Sequence, residues 1–274
     1  MRFSISLLVA ILIVSPWCAT ESSAQRIIAH RGASHAAPEN TLAAFRLAWE
    51  LGADGIEGDF YLSSDGKIVC IHDRDTERVA GVKKVVADTS FADLRRLDVG
   101  RWKDESWEGE RIPTLEEVLA TAPRGKLVFI ELKCGPEIVD PLVATLDLST
   151  VPHENIVIIS FNADVIAACE EKLPHLKSYW LTSYKQNDGQ AWRPTATETS
   201  NTIRRIHADG LGSQAEPNCF DGAFINQLRE GGVSDFHVWT VDDPILARQY
   251  LELGAWSITT NRPRYLRREL SKTK

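Results

Sequence analysis

Side chains able to move protons, bind a cation and hold an anion are concentrated near the start of the chain. His30 and His72 can exchange protons near neutral pH. Glu57 and Asp59 are separated by one residue, so on a strand they point the same way and can chelate a hard cation. Arg31 lies beside His30 and suits an anionic substrate, above all a phosphate. Together these residues predict acid–base chemistry on a phosphorylated substrate.

A second pair, Glu131 and Lys133, follows a near-continuous apolar segment and also shares one face by alternation. Glu131 can complete an oxygen cage with Glu57 and Asp59, and three carboxylates without cysteine favour Ca²⁺ or Mg²⁺ over Zn²⁺. Lys133 can help to neutralise phosphate oxygens. The acids could instead pair with the two cationic side chains as a structural network. Burying them without a cation would be costly, so metal binding is favoured.

The apolar pattern predicts the elements that position these residues. Short apolar segments end at His30, Glu57 and His72, so we expect strands that present chemistry at one rim of a rigid scaffold. Leaving aside the return arm of a hairpin, eight strands alternate with helices. The predicted strands are 26–29, 55–62, 127–133, 155–160, 177–182, 209–213, 235–241 and 256–260.

Eight such units predict an α/β fold, the (β/α)8 TIM barrel, and the chain of 274 residues has its usual size. The apolar run at 127–133 is typical of a parallel strand covered on both faces. An open doubly wound sheet is the rival fold. No glycine-rich turn of the dinucleotide-binding type follows the first strand, which favours the barrel.

A hairpin above the rim is predicted from the turn at 63–66, and it would place Asp59 about opposite His72. Asn40 can cap the first helix. Residues 74–113 are polar and rich in charge, so we expect a small inserted subdomain after the hairpin, within a single barrel domain of residues 25–274.

Residues 1–24 have the pattern of a signal peptide: a basic residue, an apolar stretch, and small residues before Ala24. We therefore expect an exported protein, periplasmic or extracellular. No later segment is apolar enough for stable membrane insertion. The net charge of −7 argues against general nucleic-acid binding. The oligomeric state is not predicted.

Four cysteines follow the predicted cleavage point, and none forms a C-x-x-C pair. Export permits disulfides, but a domain of this size does not need them, so buried free thiols are favoured. A bridge between Cys70 and Cys134 stays open, because both are predicted near the rim.

The motifs of this chain resemble those of the glycerophosphodiester phosphodiesterase family. They run in family order over nearly all residues after position 24. The matching segments are His30-Arg31-Gly32, Pro38-Glu39-Asn40-Thr41, Glu57-Gly58-Asp59, Asp65-Gly66, His72-Asp73, Ile112-Pro113-Thr114-Leu115, Glu131-Leu132-Lys133, Ser160-Phe161 and Trp239-Thr240-Val241.

The resemblance implies a metal-dependent enzyme that hydrolyses a small glycerophosphodiester to glycerol 3-phosphate and an alcohol. Its first nucleophile can be the substrate's own neighbouring hydroxyl, which gives a cyclic phosphate that water opens. The implied site residues are His30 and His72 for proton transfer, Glu57, Asp59 and Glu131 for one divalent cation, Ca²⁺ or Mg²⁺, and Arg31, Lys133 and Trp239 for substrate.

Between the histidines, His30 is expected to be the initial base and His72 the acid. Trp239 can wall the glycerol site or fill the core. Two residues depart from the family pattern: Asp242 stands where asparagine is frequent, and Asn261 where aspartate is common. We expect these exchanges to alter alcohol recognition.

Two other functions fit the same barrel. A phospholipase of the C or D type, acting on intact lipids, would need an exposed apolar rim, whereas the predicted rim loops are polar. A non-catalytic phosphoglycerol-binding protein would need the loss of a catalytic group, and none of the expected groups is missing.

Overall fold

The computed structural model describes residues 25–272, whose strands close into a barrel. The strands are β1 (Arg26–His30), β2 (Gly55–Leu62), β3 (Ile68–Cys70), β4 (Leu127–Leu132), β5 (Ile156–Ser160), β6 (Lys177–Thr182), β7 (Gly210–Gln214), β8 (Phe236–Trp239) and β9 (Ser257–Thr260). Eight of them pair in parallel around the barrel, and β1 pairs with both β2 and β9. This closure confirms the predicted (β/α)8 barrel and excludes the open sheet.

Helices connect the strands and cover the outside of the barrel. They are α1 (Leu42–Glu50), α2 (Glu77–Ala80), α3 (Phe91–Leu94), α4 (Leu115–Leu119), α5 (Val139–Asp147), α6 (Ala163–Lys172), α7 (Ala196–Ile206), α8 (Gly222–Glu230), α9 (Pro244–Glu252) and α10 (Pro263–Ser271). Each of the longer helices buries an apolar face, as expected for helices packed on a sheet. Helix α10 was not predicted from the sequence.

The register of neighbouring strands brings the rim residues to one level. His30 in β1 pairs with Glu57 in β2, and Asp59 in β2 pairs with Glu131 in β4. Because these three strands are adjacent and parallel, their carboxyl ends meet at the same mouth of the barrel. Four candidate residues that are widely spaced in the sequence are therefore neighbours.

Strand β3 runs antiparallel to β2 and forms the predicted hairpin, but its register differs by one residue. Phe60 pairs with Cys70, and the Ile71 N–H donates to the carbonyl of Asp59. Asp59 thus lies opposite Ile71, not His72. The reason is a three-residue loop, 64–66, closed by Ser63 and Lys67, in which Gly66 has a φ of 77°. His72 still follows directly at the rim.

The first helix begins one residue later than predicted, since Thr41 is its N-cap and accepts from Ala44 N–H. Asn40 instead adopts a left-handed φ of 58°, which asparagine tolerates better than most residues. Residues 74–113 carry α2 and α3, and a small apolar cluster there includes Val86 and Leu94.

Two other predictions concern the membrane and the cysteines. None of the helices within residues 25–272 is long and apolar enough to cross a membrane. In the same part of the chain the four cysteines are free thiols, as favoured. The predicted signal peptide, residues 1–24, lies outside the described residues, so export stays a prediction.

Inward glycines on β7 leave room for large side chains inside the barrel, and this generates a stability prediction. A Cβ at Gly210 would lie 2.2 Å from the backbone oxygen of Asp235 and 2.8 Å from the Tyr179 ring. We expect Gly210→Ala to lower the free energy of unfolding by about 1–3 kcal/mol, because the backbone of Asp235 cannot move aside as a flexible side chain can. Urea denaturation measures this.

The matched control is Gly222→Ala at the start of α8, where a Cβ would lie 3.4 Å from Leu253. It should leave the protein unchanged or more stable by up to about 1 kcal/mol. Equal losses for the two variants would contradict the steric argument.

Candidate active site

Three carboxylates meet at the carboxyl ends of β2 and β4. Glu57, Asp59 and Glu131 are 2%, 1% and 8% exposed, and one ligand oxygen from each lies within 4.8 Å of the others. Carboxylates of like charge come this close in a buried place only when something offsets their repulsion. The structure brings all three predicted metal ligands together.

Two cations lie against these acids. Arg31 Nε is 3.2 Å from Asp59 Oδ2, and Lys133 Nζ is 3.3 Å from Asp59 Oδ1 and 2.7 Å from Glu131 Oε1. Burial alone would raise the pKa of Asp59, but Lys133 and Arg31 outweigh it and hold that pKa below its ordinary range. Asp59 is therefore ionised at any physiological pH.

The other two carboxylates are less well compensated. Burial, together with the charge of Asp59, raises the pKa of Glu57 well above its ordinary value and that of Glu131 to about 7. Glu57 Oε2 accepts from the backbone N–H of Arg31 at 2.9 Å. Among the described residues, Glu57 Oε1 has no hydrogen-bond partner, and Asp59 Oδ1 has only the ion pair with Lys133 Nζ at 3.3 Å. These oxygen atoms fit a hard divalent cation, which would supply the missing positive charge.

Asn40 fixes the central acid in place. Its Nδ2 donates to Asp59 Oδ2 at 2.8 Å, and its Oδ1 accepts from the backbone N–H of Asp59 at 3.2 Å. The left-handed backbone of Asn40 turns the side chain toward β2. This residue is a support for Asp59 rather than a helix cap.

A neutral amide holds His30. Asn261 Nδ2 donates to Asp242 Oδ2 at 2.9 Å, which leaves Asn261 Oδ1 as the partner of His30 Nδ1 at 2.8 Å. This network assigns the proton to Nδ1, so that Nε2 presents its lone pair at the site, 4.0 Å from Glu57. Burial, and then the charge of Arg31, lowers the pKa of His30 to about 4. The imidazole is therefore neutral.

A carboxylate holds His72. Asp73 Oδ1 lies 2.7 Å from His72 Nδ1, while Asp73 Oδ2 accepts from Arg78 Nε at 2.6 Å. Arg78 also donates to Glu39 at 2.8 and 3.1 Å, and Glu39 accepts from Arg31 at 2.9 Å. A chain of alternating charges thus runs from His72 back to the acidic cluster. It places Asp73 beside His72.

A cavity of about 190 Å³ opens at this mouth of the barrel. One side is charged and the other is apolar and aromatic. Its lining includes His30, Arg31, Glu57, His72, Glu131 and Lys133 on the charged side, and Ile159, Phe161, Leu181, His237 and Trp239 on the other. Phe161 and Trp239 meet edge to face with ring centroids 5.4 Å apart, so Trp239 is part of the cavity wall and not only core.

A family model decides the relationship. The model of the glycerophosphoryl diester phosphodiesterase family matches residues 30–265. The chain belongs to this family. A glycerophosphodiester phosphodiesterase of Caldanaerobacter subterraneus is 33% identical over 245 residues, which are 88% of this chain and 95% of that protein.

Solved structures of the family share the fold. A phosphodiesterase of Oleispira antarctica, in complex with the product sn-glycerol-3-phosphate, matches with a TM-score of 0.78 and 25% identity over 90% of this chain and 97% of that one. A glycerophosphodiester phosphodiesterase of Agrobacterium tumefaciens matches with a TM-score of 0.69 and 27% identity over 88% and 98%.

Several residues that shape the site were missed by the sequence reading. Asp242 and Asn261 were noted as departures from the family pattern, but their contact with His30 was not foreseen. Asn40 was expected to cap a helix. His237 was not among the predicted site residues, although it lines the cavity. Its alternation with Trp239 on β8 was the available signal.

The crowded acids make stability depend on pH. The pKa of Glu131 in the folded protein, about 7, exceeds its ordinary value of 4.5, so the folded state holds this proton more tightly than the unfolded one. In chelator, stability should therefore fall as pH rises from about 4.5 to 7. The glutamine of Glu131→Gln carries no charge at any pH. The free energy of unfolding of this variant, relative to that of the parent, should therefore be greater at pH 8 than at pH 5. Thermal unfolding in chelator measures both.

Glu230→Gln, at the exposed end of α8, is the control and should leave the pH dependence unchanged. Parallel stability curves for the parent and Glu131→Gln would show that this carboxyl is not responsible.

Proposed function

We propose that this member of the family hydrolyses small glycerophosphodiesters to glycerol 3-phosphate and an alcohol, with one divalent cation, Ca²⁺ or Mg²⁺, and a histidine pair. The observation that carries the proposal is the shared cavity. Two histidines, three carboxylates and two cations line or adjoin one opening. The Oleispira relative, solved with sn-glycerol-3-phosphate, supports the product assignment.

The phosphate is bound by opposite charge. Arg31 and Lys133 line the charged side of the cavity, and each also lies against Asp59. Glu57, Asp59 and Glu131 would hold the cation, which supplies positive charge to a phosphoryl oxygen as negative charge develops. The residues of the cluster thus orient the phosphorus between the two histidines.

His30 acts as the initial base. Its Nδ1 proton is held by Asn261, so Nε2 is free to accept a proton from the attacking hydroxyl, either the substrate's own or that of water. An amide partner fixes the ring without adding charge behind it. Proton acceptance at Nε2 then develops the positive charge beside Glu57, which is 4.0 Å away.

His72 acts as the acid. Asp73 accepts from Nδ1 and fixes the orientation of the ring, so that Nε2 faces the leaving alkoxide and can donate a proton to it. The P–O bond to the alcohol breaks as this proton arrives. When a cyclic phosphate forms first, water opens it with the roles reversed.

Activity should depend on both the histidines and a cation. Purified protein should release glycerol 3-phosphate from glycerophosphocholine or glycerophosphoethanolamine in Ca²⁺ or Mg²⁺, and chelator should stop the release. His30→Ala should lose about 10²-fold or more in kcat, the usual contribution of one acid–base group. His153→Ala, which alters a partly exposed histidine in the turn just before β5, should retain full rate. Turnover that survives both chelator and His30→Ala would refute the proposal.

The leaving group distinguishes the two histidines. A p-nitrophenyl glycerophosphodiester needs no acid because p-nitrophenolate is stable unprotonated. His72→Ala should therefore recover to within about tenfold of the parent on this ester while losing about 10²-fold or more with a choline leaving group. His30→Ala should remain impaired on both substrates. The reverse pattern, with His30→Ala rescued, would exchange the two roles.

A further inference from the structure

A basic pocket of about 330 Å³ lies beside the mouth of the barrel, between the loop after β1 and the start of α10. Its lining includes Arg262, Arg264 and Arg268, and all three side chains are exposed. Arg268 pairs with Glu269, whereas Arg262 and Arg264 have no carboxylate partner in the described part of the chain. In a protein with a net charge of −7, this pocket is a local excess of positive charge.

An aromatic ring orders the arginines of this pocket. The Cζ atoms of Arg262 and Arg268 lie 4.6 and 5.7 Å from the ring centroid of Tyr265. Stacking on a ring holds a guanidinium group in place without neutralising its charge. The N–H groups of such an arginine stay available to an anion, and phosphate fits their planar, forked geometry best.

An exposed tryptophan with its own cations lies across the loop after β1. Trp102 is 41% exposed, and its ring centroid is 5.9 Å from Arg78 Cζ and 5.8 Å from Lys103 Nζ. Lys103 Nζ also donates to the backbone carbonyl of Ser34 at 2.8 Å, which ties the inserted subdomain to that loop. An indole that is exposed among cations is typical of proteins that meet the polar interface of a membrane.

A single loop joins the two groups and brings both of them to the mouth. His35 in that loop lines the arginine pocket, and Ser34 binds Lys103. Ser34 Oγ also donates to Asn261 Oδ1 at 3.0 Å, next to His30. The two groups therefore form one surface beside the cavity. We define it as the rim surface, which consists of Trp102, Lys103, Arg262, Arg264 and Tyr265.

The composition of the rim surface selects among the classes of partner. A stable protein interface has an apolar core of several side chains, whereas Trp102 is the one large exposed hydrophobic side chain here. A single strand of nucleic acid needs a basic groove with aromatic rings for successive bases, but Trp102 does not line the arginine pocket. The separate phosphates of a lipid surface can occupy the pocket and surround the indole at the same time.

We propose that the rim surface docks this protein on a membrane that contains anionic phospholipid. Arg262 and Arg264 bind lipid phosphates, and Trp102 lies at the level of the headgroups. The docking is peripheral and reversible, because it depends on a few cations and one indole. It holds the mouth of the barrel beside the lipid surface. The proposal does not depend on the reaction proposed above.

Vesicle sedimentation tests the docking without turnover. The purified protein should bind vesicles of phosphatidylglycerol and phosphatidylcholine in equal parts about tenfold or more tightly than vesicles of phosphatidylcholine alone. Raising NaCl from about 50 to about 500 mM should release it, since salt screens exposed charges. Arg262→Glu/Arg264→Glu should weaken binding to the anionic vesicles by about tenfold or more. Trp102→Ala should weaken it by about three- to tenfold and leave its dependence on salt unchanged.

Arg124→Glu/Arg205→Glu is the matched control, with the same change of charge at two exposed positions. Arg124 precedes β4 and Arg205 lies in the last turn of α7, so both are at the end of the barrel opposite the mouth. This pair should change binding by less than about twofold. Thermal unfolding verifies that each variant is folded. Should the first pair fail to fold, Arg264→Glu/Arg268→Glu removes the same charge from the pocket and should weaken binding alike.

Equal binding of the parent to the two kinds of vesicle would overturn the inference. Equal losses for the variant pair and the control pair would overturn it too, because net charge and not the rim surface would then be responsible. A third contrary result is binding of a labelled single-stranded oligonucleotide, lost in Arg262→Glu/Arg264→Glu, by a protein that binds no vesicles. That result would assign the rim surface to nucleic acid.

Discussion

The rest of the site depends on an imbalance of charge: three buried carboxylates face two cations. Arg31 and Lys133 both lie against Asp59, so this acid is compensated twice while Glu57 has only a backbone N–H and a distant imidazole. One further positive charge is needed before all three acids can be ionised together. A divalent cation would meet that need and would leave the pocket net positive, which favours the binding of an anionic phosphodiester.

The same balance of charges explains why the two histidines have different hydrogen-bond partners. His30 lies inside the charged cluster, where a carboxylate behind the ring would add a fourth acid. Its partner is the amide of Asn261. The carboxylate of Asp242 lies behind that amide and accepts hydrogen bonds from the Thr260 hydroxyl, the Asn261 backbone N–H and Asn261 Nδ2. His72 lies on the loop after the hairpin, outside the cluster, and there a carboxylate paired with Arg78 adds no uncompensated charge.

Much of the fold followed from the sequence because buried parallel strands are apolar throughout and end where polar residues begin. The bounds of β4, β5 and β6 differ from the prediction by at most one residue. The register of the hairpin could not be predicted from the sequence, because both a two-residue loop and a three-residue loop fit the same turn residues around Gly66. Helix α10 was missed because four of its nine residues are charged and its apolar face is narrow.

The sequence predicted only those site residues whose side chains lie at the ends of strands. Glu57, Asp59 and Glu131 were grouped from alternation within each strand and from their positions at strand ends, which works because strand geometry is fixed. The partners of these groups depend on contacts between distant segments: Asn261 lies 231 residues after His30, and its amide could equally have faced Ser34 alone. Asp242 and Asn261, read from sequence as changes in alcohol recognition, stand behind His30 in the structure. Their effect on alcohol recognition stays a prediction. A substitution next to the proposed catalytic ring of His30 must therefore be judged by the charge it places there, and that charge is set by the fold.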